Sequence, residues 1–350
     1  MEKEYLKKFE RNIKEIFSNI PSLSIKKTLT NMQISDSFQA DLIVVIAYNN
    51  KQKKIIVEIM SKGEPRYVRS AVQHLSSSLG EKPDVYGVIC APYISKRTGE
   101  ICEASNIGYI DLSGNCSISF NNVYIKKENY KSVFSERKEA KSLFAKKTSR
   151  LLRVFLNNPE KTWTQLELAK EANVSIGLTN RVIKRLFDLE YVSFEKNKRI
   201  TFKNPSALLD SWREEYSYLD NDIIGCFTSL SKEAFENRLS GYTEKRKQEK
   251  YALSLFSGAS IVAPFVQSNQ SFFYFLGNME DLAETVELKP VSTGANALML
   301  IPYDDGVFYA AQKLRNRNVV SNIQLYLDLY NYKGRGKEQA EYLREKVIGF

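Results

Sequence analysis

One histidine in 350 residues is a severe restriction on chemistry. His74 has no second histidine to pair with, which excludes His-rich metal centres, serine-histidine-aspartate triads and nucleases built on a histidine base. The four cysteines, Cys90, Cys102, Cys116 and Cys226, are not at Cys-x-x-Cys spacing and have apolar or small neighbours. They read as buried free thiols, not zinc ligands or disulfides. No apolar run approaches the roughly 18 residues of a membrane span, and the charged stretch MEKEYLKKFERNIKEIF lacks a signal peptide's apolar segment. The expectation is a cytoplasmic protein with no membrane partner. Internal repeats and low-complexity tracts are also missing.

What is present is length and positive charge. Single cores rarely grow beyond about 150 to 200 residues, so this chain is expected to form three domains. Lys and Arg outnumber Asp and Glu by 51 to 41, a net charge of +10, which favours a polyanionic partner.

Residues 5–20 carry apolar side chains at helical spacing until Pro21, and 40–47 and 55–60 read as β-branched strands. Asn49-Asn50 supplies hairpin-turn chemistry between them. Helix 67–79 turns Val68, Ala71, Val72 and Leu75 to one face, then come strand 86–91, helix 95–105, and short strands 108–111, 116–120 and 123–125, with a turn at Gly114-Asn115. The order helix, three strands, helix, strand is that of an α/β domain over 1–130. A basic linker helix is expected over 131–147.

The segment TWTQLELAKEANVSIGLTNRVIKRLFDLEYVSFEKNKRITF carries the sharpest functional signal. Leu151, Leu152 and Phe155 give a first helical stripe, Leu166, Leu168 and Ala169 a second, and Ala172-Asn173-Val174 a tight turn. Ser175 caps a third helix, where Leu178, Val182, Leu186 and Leu189 are expected to face the core. Thr179, Asn180, Arg181, Lys184 and Arg185 are thereby expected to face outward. With Ser175 they form the polar, cationic face that a recognition helix lays in a major groove. Two strands around Lys196-Asn197-Lys198 make a wing, whose Lys196, Lys198 and Arg199 are candidates for backbone phosphates. The segment 148–219 is therefore expected to be a winged helix-turn-helix that binds double-stranded DNA.

In the first domain, VEIMSKGEP ends a strand with Glu58, and Asp41 lies one strand upstream. This arrangement resembles the PD-(D/E)XK nuclease core. The resemblance implies that Asp41 and Glu58 hold a divalent cation such as Mg2+, and that a Lys two positions after the second carboxylate orients the attacking water. That position is Met60, and a thioether can neither donate a proton nor stabilise a phosphorane's charge. Lys62 would share the face of Glu58 if the strand continued, although Gly63 and Pro65 signal its end. Two readings stay open: an inactive scaffold with no cofactor, metal or catalytic residue, and an endonuclease using Asp41, Glu58 and Lys62. His74 reads as a boundary residue of its helix. Arg66 and Arg69 either reach this edge or are solvated charges.

Beyond 220 the chain reads as a mixed α/β domain. The stretches VELKPVSTGANALMLIPYDDGVFY and VVSNIQLYLDLYNYKGRGKEQAEYLREKVIGF, after such a helical segment, resemble the AbiEi-type antitoxins and regulators of type IV toxin-antitoxin systems. APYISKRTGEICEASNIGYIDLSGN looks like the N-terminal extension of longer members. The resemblance implies an autorepressor that binds its own promoter and counters a nucleotidyltransferase-type toxin without forming a stable complex with it. In shorter members the winged helix opens the chain, whereas here it follows another domain.

The 220–350 region also has a degenerate nucleotidyltransferase look. Strand 251–255 leads into Ser257-Gly258-Ala259, but the next strand, FFYFLG, brings no paired carboxylates for magnesium. Asp304 and Asp305 fall in a turn. Lys333, Arg335 and Lys337 make a cationic loop that either packs locally or touches nucleic acid. A homodimer is expected on the ground that one winged helix reads only a half-site.

Overall fold

The computed structural model describes residues 2–35, 38–48, 51–80, 82–128, 130, 143–244, 246 and 248–350. The Asn49-Asn50 turn and most of the expected linker helix lie outside the described residues. The chain divides into two compact units: 1–140 together with 186–190, and 141–185 together with 191–350.

The first unit is one mixed sheet between two helical layers. Helix α1 (Glu2–Ser18) precedes β1 (Leu23–Ser35), β2 (Phe38–Tyr48) and β3 (Lys51–Ile59). There follow α2 (Pro65–Leu79), β4 (Val85–Ala91), α3 (Lys96–Ala104), β5 (Gly108–Asp111), β6 (Cys116–Phe120) and β7 (Val123–Lys127). Spatial order equals sequence order, β1 to β7. Strands β3, β4 and β5 are parallel because α2 and α3 return the chain between them; the other pairs are antiparallel. Phe9, Ile13 and Phe17 of α1 pack on Leu42, Val44, Val57 and Ile118, while Val68, Val72 and Leu75 of α2 pack on Ile43, Ile56 and Ile89 across the sheet. Burial on both faces explains why β3 and β4 read as continuous apolar runs. Strand β1 could not be assigned residues from sequence, since it is an edge whose polar side chains are mostly exposed.

The second unit begins with α4 (Thr148–Asn157), α5 (Gln165–Glu171) and α6 (Ile176–Asp188, its last residues belonging to the first unit). The hairpin β8 (Val192–Phe194) and β9 (Ile200–Phe202) and helix α7 (Pro205–Glu215) follow. A second seven-stranded sheet then runs in the order β13-β10-β14-β12-β11-β16-β15. Its strands are β10 (Asp222–Thr228), β11 (Lys250–Leu253), β12 (Ser271–Leu276), β13 (Leu288–Pro290), β14 (Ala297–Ile301), β15 (Gln312–Leu314) and β16 (Arg317–Val319). Between and after them come α8 (Lys232–Glu244), α9 (Leu255–Val262), α10 (Met279–Thr285), α11 (Asn322–Tyr330) and α12 (Gly336–Leu343).

This unit is pinned by a buried polar network. Arg153 of α4, 1 % exposed, donates from Nη2 to Gln324 Oε1 at 2.6 Å and from Nη1 to Ser149 Oγ at 2.7 Å, and its guanidinium lies 5.0 Å from the Trp212 ring centroid. Gln324 Nε2 donates onward to Asp328 at 2.9 Å. The Asp328 carboxylate, fully buried, also accepts from the hydroxyls of Tyr216 at 2.6 Å, Tyr274 at 2.9 Å and Ser254. The boundary expected at 219/220 runs through this network. Removing one member strands the others without water, so Arg153→Met should destabilise the protein by about 3–5 kcal/mol. A urea titration checks this, with exposed Lys196→Met as the control expected within about 0.5 kcal/mol of the parent.

Candidate nucleic-acid interface

The three helices 148–188 and the hairpin are assembled by local signals that the sequence states openly. Thr164 and Glu167 form a capping box at the start of α5: Glu167 N–H donates to Thr164 Oγ1 at 3.2 Å and Thr164 N–H to the Glu167 carboxylate at 2.8 Å. Asn173 takes φ +51° in the turn before α6, a left-handed conformation that Asn tolerates. Ser175 Oγ accepts the Leu178 N–H at 3.3 Å, capping α6. Trp163 exchanges both backbone hydrogen bonds with Ile200, adding a third short edge to the β8–β9 pair and tying the hairpin to the helices.

On α6 the buried side is Thr179, Val182, Ile183 and Leu186, with Leu178 half-buried and Leu189 half-buried beyond its end. Thr179 was expected outside and is fully buried, its hydroxyl turned back to the Ser175 carbonyl at 3.1 Å. A β-branched Thr can satisfy its hydroxyl within its own helix and so enter a core, which moves the apolar stripe by one position. The opposite side exposes Ser175, Ile176, Gly177, Asn180, Arg181 and Lys184. Arg185 is half-buried.

The hairpin turn exposes Lys196 and Lys198, Lys198 at φ +63°. Arg199 departs from expectation. Its Nε donates to Thr162 Oγ1 at 2.9 Å, and its Nη2 to the Thr162 carbonyl at 2.8 Å and to Glu167 at 3.1 Å. It braces the hairpin against α5 and is not a spare cation. Among the described residues, Arg181, Lys184, Lys196 and Lys198 make no ion pair. Sequence reasoning missed exposed Ile176, 46 % accessible, because an isoleucine at helical spacing reads as core.

In the first unit, Asp41 on β2 and Glu58 on β3 flank the Leu42–Val57 pair. The Asp41 carboxylate accepts the Ile59 N–H at 2.7 Å. Glu58 Oε2 is buried with no hydrogen-bond partner. Burial pushes the Glu58 carboxyl up to about 7, with His74 opposing and Asp41 reinforcing the shift. Met60 packs into the α2–α3 side of the core. Strand β3 ends at Ile59, and beyond it the chain passes close to Tyr93: a Cβ on Gly63 would sit 1.9 Å from the Tyr93 carbonyl oxygen. Lys62 therefore leaves the strand line and lies 4.7 Å from the Tyr67 ring centroid. Arg69 forks onto Glu190 of the same unit at 2.9 Å, and exposed His74 stands edge-on to Phe38. Among the described residues no three His, Cys, Asp or Glu side chains gather at metal-binding spacing.

The Ser257-Gly258-Ala259 turn of the second unit is packed shut. Ser257 Oγ donates to Glu236 at 2.9 Å and accepts the Phe272 N–H at 3.0 Å, and a Cβ on Gly258 would approach a Leu325 methyl to 2.9 Å. Asp304 accepts a two-pronged bond from Arg150 at 2.8 and 2.9 Å, and Asp305 accepts from the same guanidinium. Both turn carboxylates are thereby committed to α4. In the 333–337 loop, Arg335 pairs with Glu338 at 2.8 Å and Lys337 lies 5.4 Å from the Tyr330 ring centroid.

Residues 199–349 match a family described as transcriptional regulator, AbiEi antitoxin, type IV toxin-antitoxin system. The match starts inside the hairpin and covers less than half of the chain. No curated protein matches. Two solved structures are similar over 29 % of this chain: a repair endonuclease from Pyrococcus abyssi, 14 % identical with a TM-score of 0.22, and EndoMS in its apo form, 16 % identical with a TM-score of 0.19. The similar region spans 46 % and 45 % of those chains, under half of each. The C-terminal part of this chain is thus similar to a family of antitoxins and transcriptional regulators.

Proposed function

We propose that this protein is a sequence-specific, double-stranded-DNA-binding transcriptional regulator, the autorepressing antitoxin of a type IV toxin-antitoxin system. Residues 148–219 act as a winged helix-turn-helix, with α6 as recognition helix and β8–β9 as wing. The observation that carries this reading is the exposed polar and cationic surface of Asn180, Arg181 and Lys184 on α6, together with Lys196 and Lys198 on the hairpin, cations that make no ion pair among the described residues. Asn and Arg match the donor and acceptor edges of adenine and guanine, and lysines on a wing neutralise phosphates. Thr179 and Arg199 are left out of the contact set, since the first is core and the second a brace. The family match over 199–349 supports the regulator and antitoxin roles. One recognition helix reads a half-site, so the reading implies a homodimer on a palindromic operator. The toxin it implies is of nucleotidyltransferase type and is countered without a stable complex.

The first unit serves in this reading as a scaffold and not as a nuclease. Its two carboxylates do not fit a catalytic Mg2+ edge. Asp41 is engaged by a backbone amide, burial raises the Glu58 carboxyl to about 7, Met60 is a thioether and Lys62 lies over the Tyr67 ring.

Three outcomes test the DNA-binding reading. In gel shifts against DNA upstream of its own gene, affinity should fall with salt by about 0.9 decade per decade for each phosphate contacted. Replacing Lys196 and Lys198 with Ala should lower that slope by about two and weaken all sequences alike; an unchanged slope removes the wing from the account. Arg181→Ala should cost about 1–3 kcal/mol on the operator and little on unrelated DNA. For the first unit, the same reactions with magnesium should leave the DNA uncut. The Glu58 contribution to stability is present below its ordinary 4.5 and is lost as pH rises through about 7. The Glu58→Gln variant should therefore gain on the parent between pH 5 and pH 8. The gain is on the order of 1–2 kcal/mol after allowing for partial exposure, and chemical melts at the two pH values measure it.

A further inference from the structure

Two residues in the first turn of α6 are not explained by the packing of the chain. Ile176 is 46 % accessible although it is a β-branched apolar residue in a helix whose other large aliphatic side chains are buried or half-buried. Gly177, next to it, has no positive φ, and a Cβ added there would meet nothing within 4 Å. A glycine at ordinary helical dihedrals gives up more chain entropy than alanine would, and here no neighbouring atom requires it. Space is being kept clear on the outside of the helix.

The surroundings say what the space is for. Ile176 stands one turn before Asn180, which stands one turn before Lys184; Gly177 stands one turn before Arg181. All five are exposed, so a small apolar patch and a bare stretch of backbone lead a polar, cationic row. A solvated face would gain nothing from Ile and Gly at its head. The edge of a thymine offers a donor-free apolar methyl group in the major groove, which aliphatic side chains contact.

We infer, resting on the DNA-binding reading above, that Ile176 reads the 5-methyl group of a thymine in each half-site and that Gly177 lets the α6 backbone approach the base edges closely. The thymine methyl is a specificity element distinct from the hydrogen bonds of Asn180 and Arg181.

The test uses the full-length protein and a duplex selected by it from a random-sequence library, with each thymine in turn replaced by uracil. For the parent protein, uracil at one position per half-site should weaken binding about fourfold, the effect of one buried methyl group. Ile176→Ala should bind the thymine duplex more weakly and lose the uracil effect at that position alone. Gly177→Ala should raise the melting temperature slightly while weakening the selected duplex at least tenfold, opposite signs that a purely structural role does not produce. Uniform indifference to uracil, or an undiminished uracil effect in Ile176→Ala, overturns the inference while leaving DNA binding intact. Failure of the library to yield any preferred duplex overturns the DNA-binding reading itself, and the inference with it.

Discussion

A guanidinium out of contact with water dictates much of the second unit. Arg153 lies on the first helix of the three-helix segment, yet beside its bond to Ser149 it reaches Gln324 and Tyr303 of the C-terminal region, and its flat face covers Trp212. A buried cation tolerates no slack, because each lost partner is paid for in full desolvation. The acceptor at the far end, Asp328, is equally deep and holds four donors. Helices α4 and α7 and the last helical pair consequently form one body with the second sheet. Arg150 on Asp304 and Asp305, and Arg344 on Asp210, fasten the periphery of the same body.

This division of labour changes the meaning of the net charge. Arg150, Arg153, Arg199, Arg213 and Arg344 are all cationic, and all are engaged by carboxylates, amides or hydroxyls of their own unit. Arginine suits such tasks because its planar fork matches fixed acceptors. The exposed cations on the hairpin turn are lysines, which are strongly hydrated and flexible. What recommends the α6 and hairpin surface is that Arg181, Lys184, Lys196 and Lys198 make no ion pair among the described residues.

At its two carboxylates the first unit departs from the nuclease resemblance in a few residues. Strand order and helix placement bring two carboxylates to neighbouring strands, as the resemblance to nucleases implied. The departures are local. The strand ends before Lys62, the chain passes close to Tyr93 at Gly63, and Met60 packs against the core. Glu58 is left in surroundings that favour its protonated form.

Read alone, the sequence determined the periodic elements: α1, α2, the parallel strands, the three helices 148–188, the hairpin, and the capping residue Ser175. Each follows from spacing and from hydrogen bonds between near neighbours, which a linear reading contains. In the resemblance to the nuclease core, it also put Met60 where that family carries a lysine. Only the tertiary structure decided that Thr179 is core, that Arg199 is a brace, and that Arg153 and Asp328 share one network across 175 positions of chain. Burial and pairing are properties of what arrives from elsewhere in the chain. A polar residue's neighbours across space, unlike those along the chain, leave no period to read.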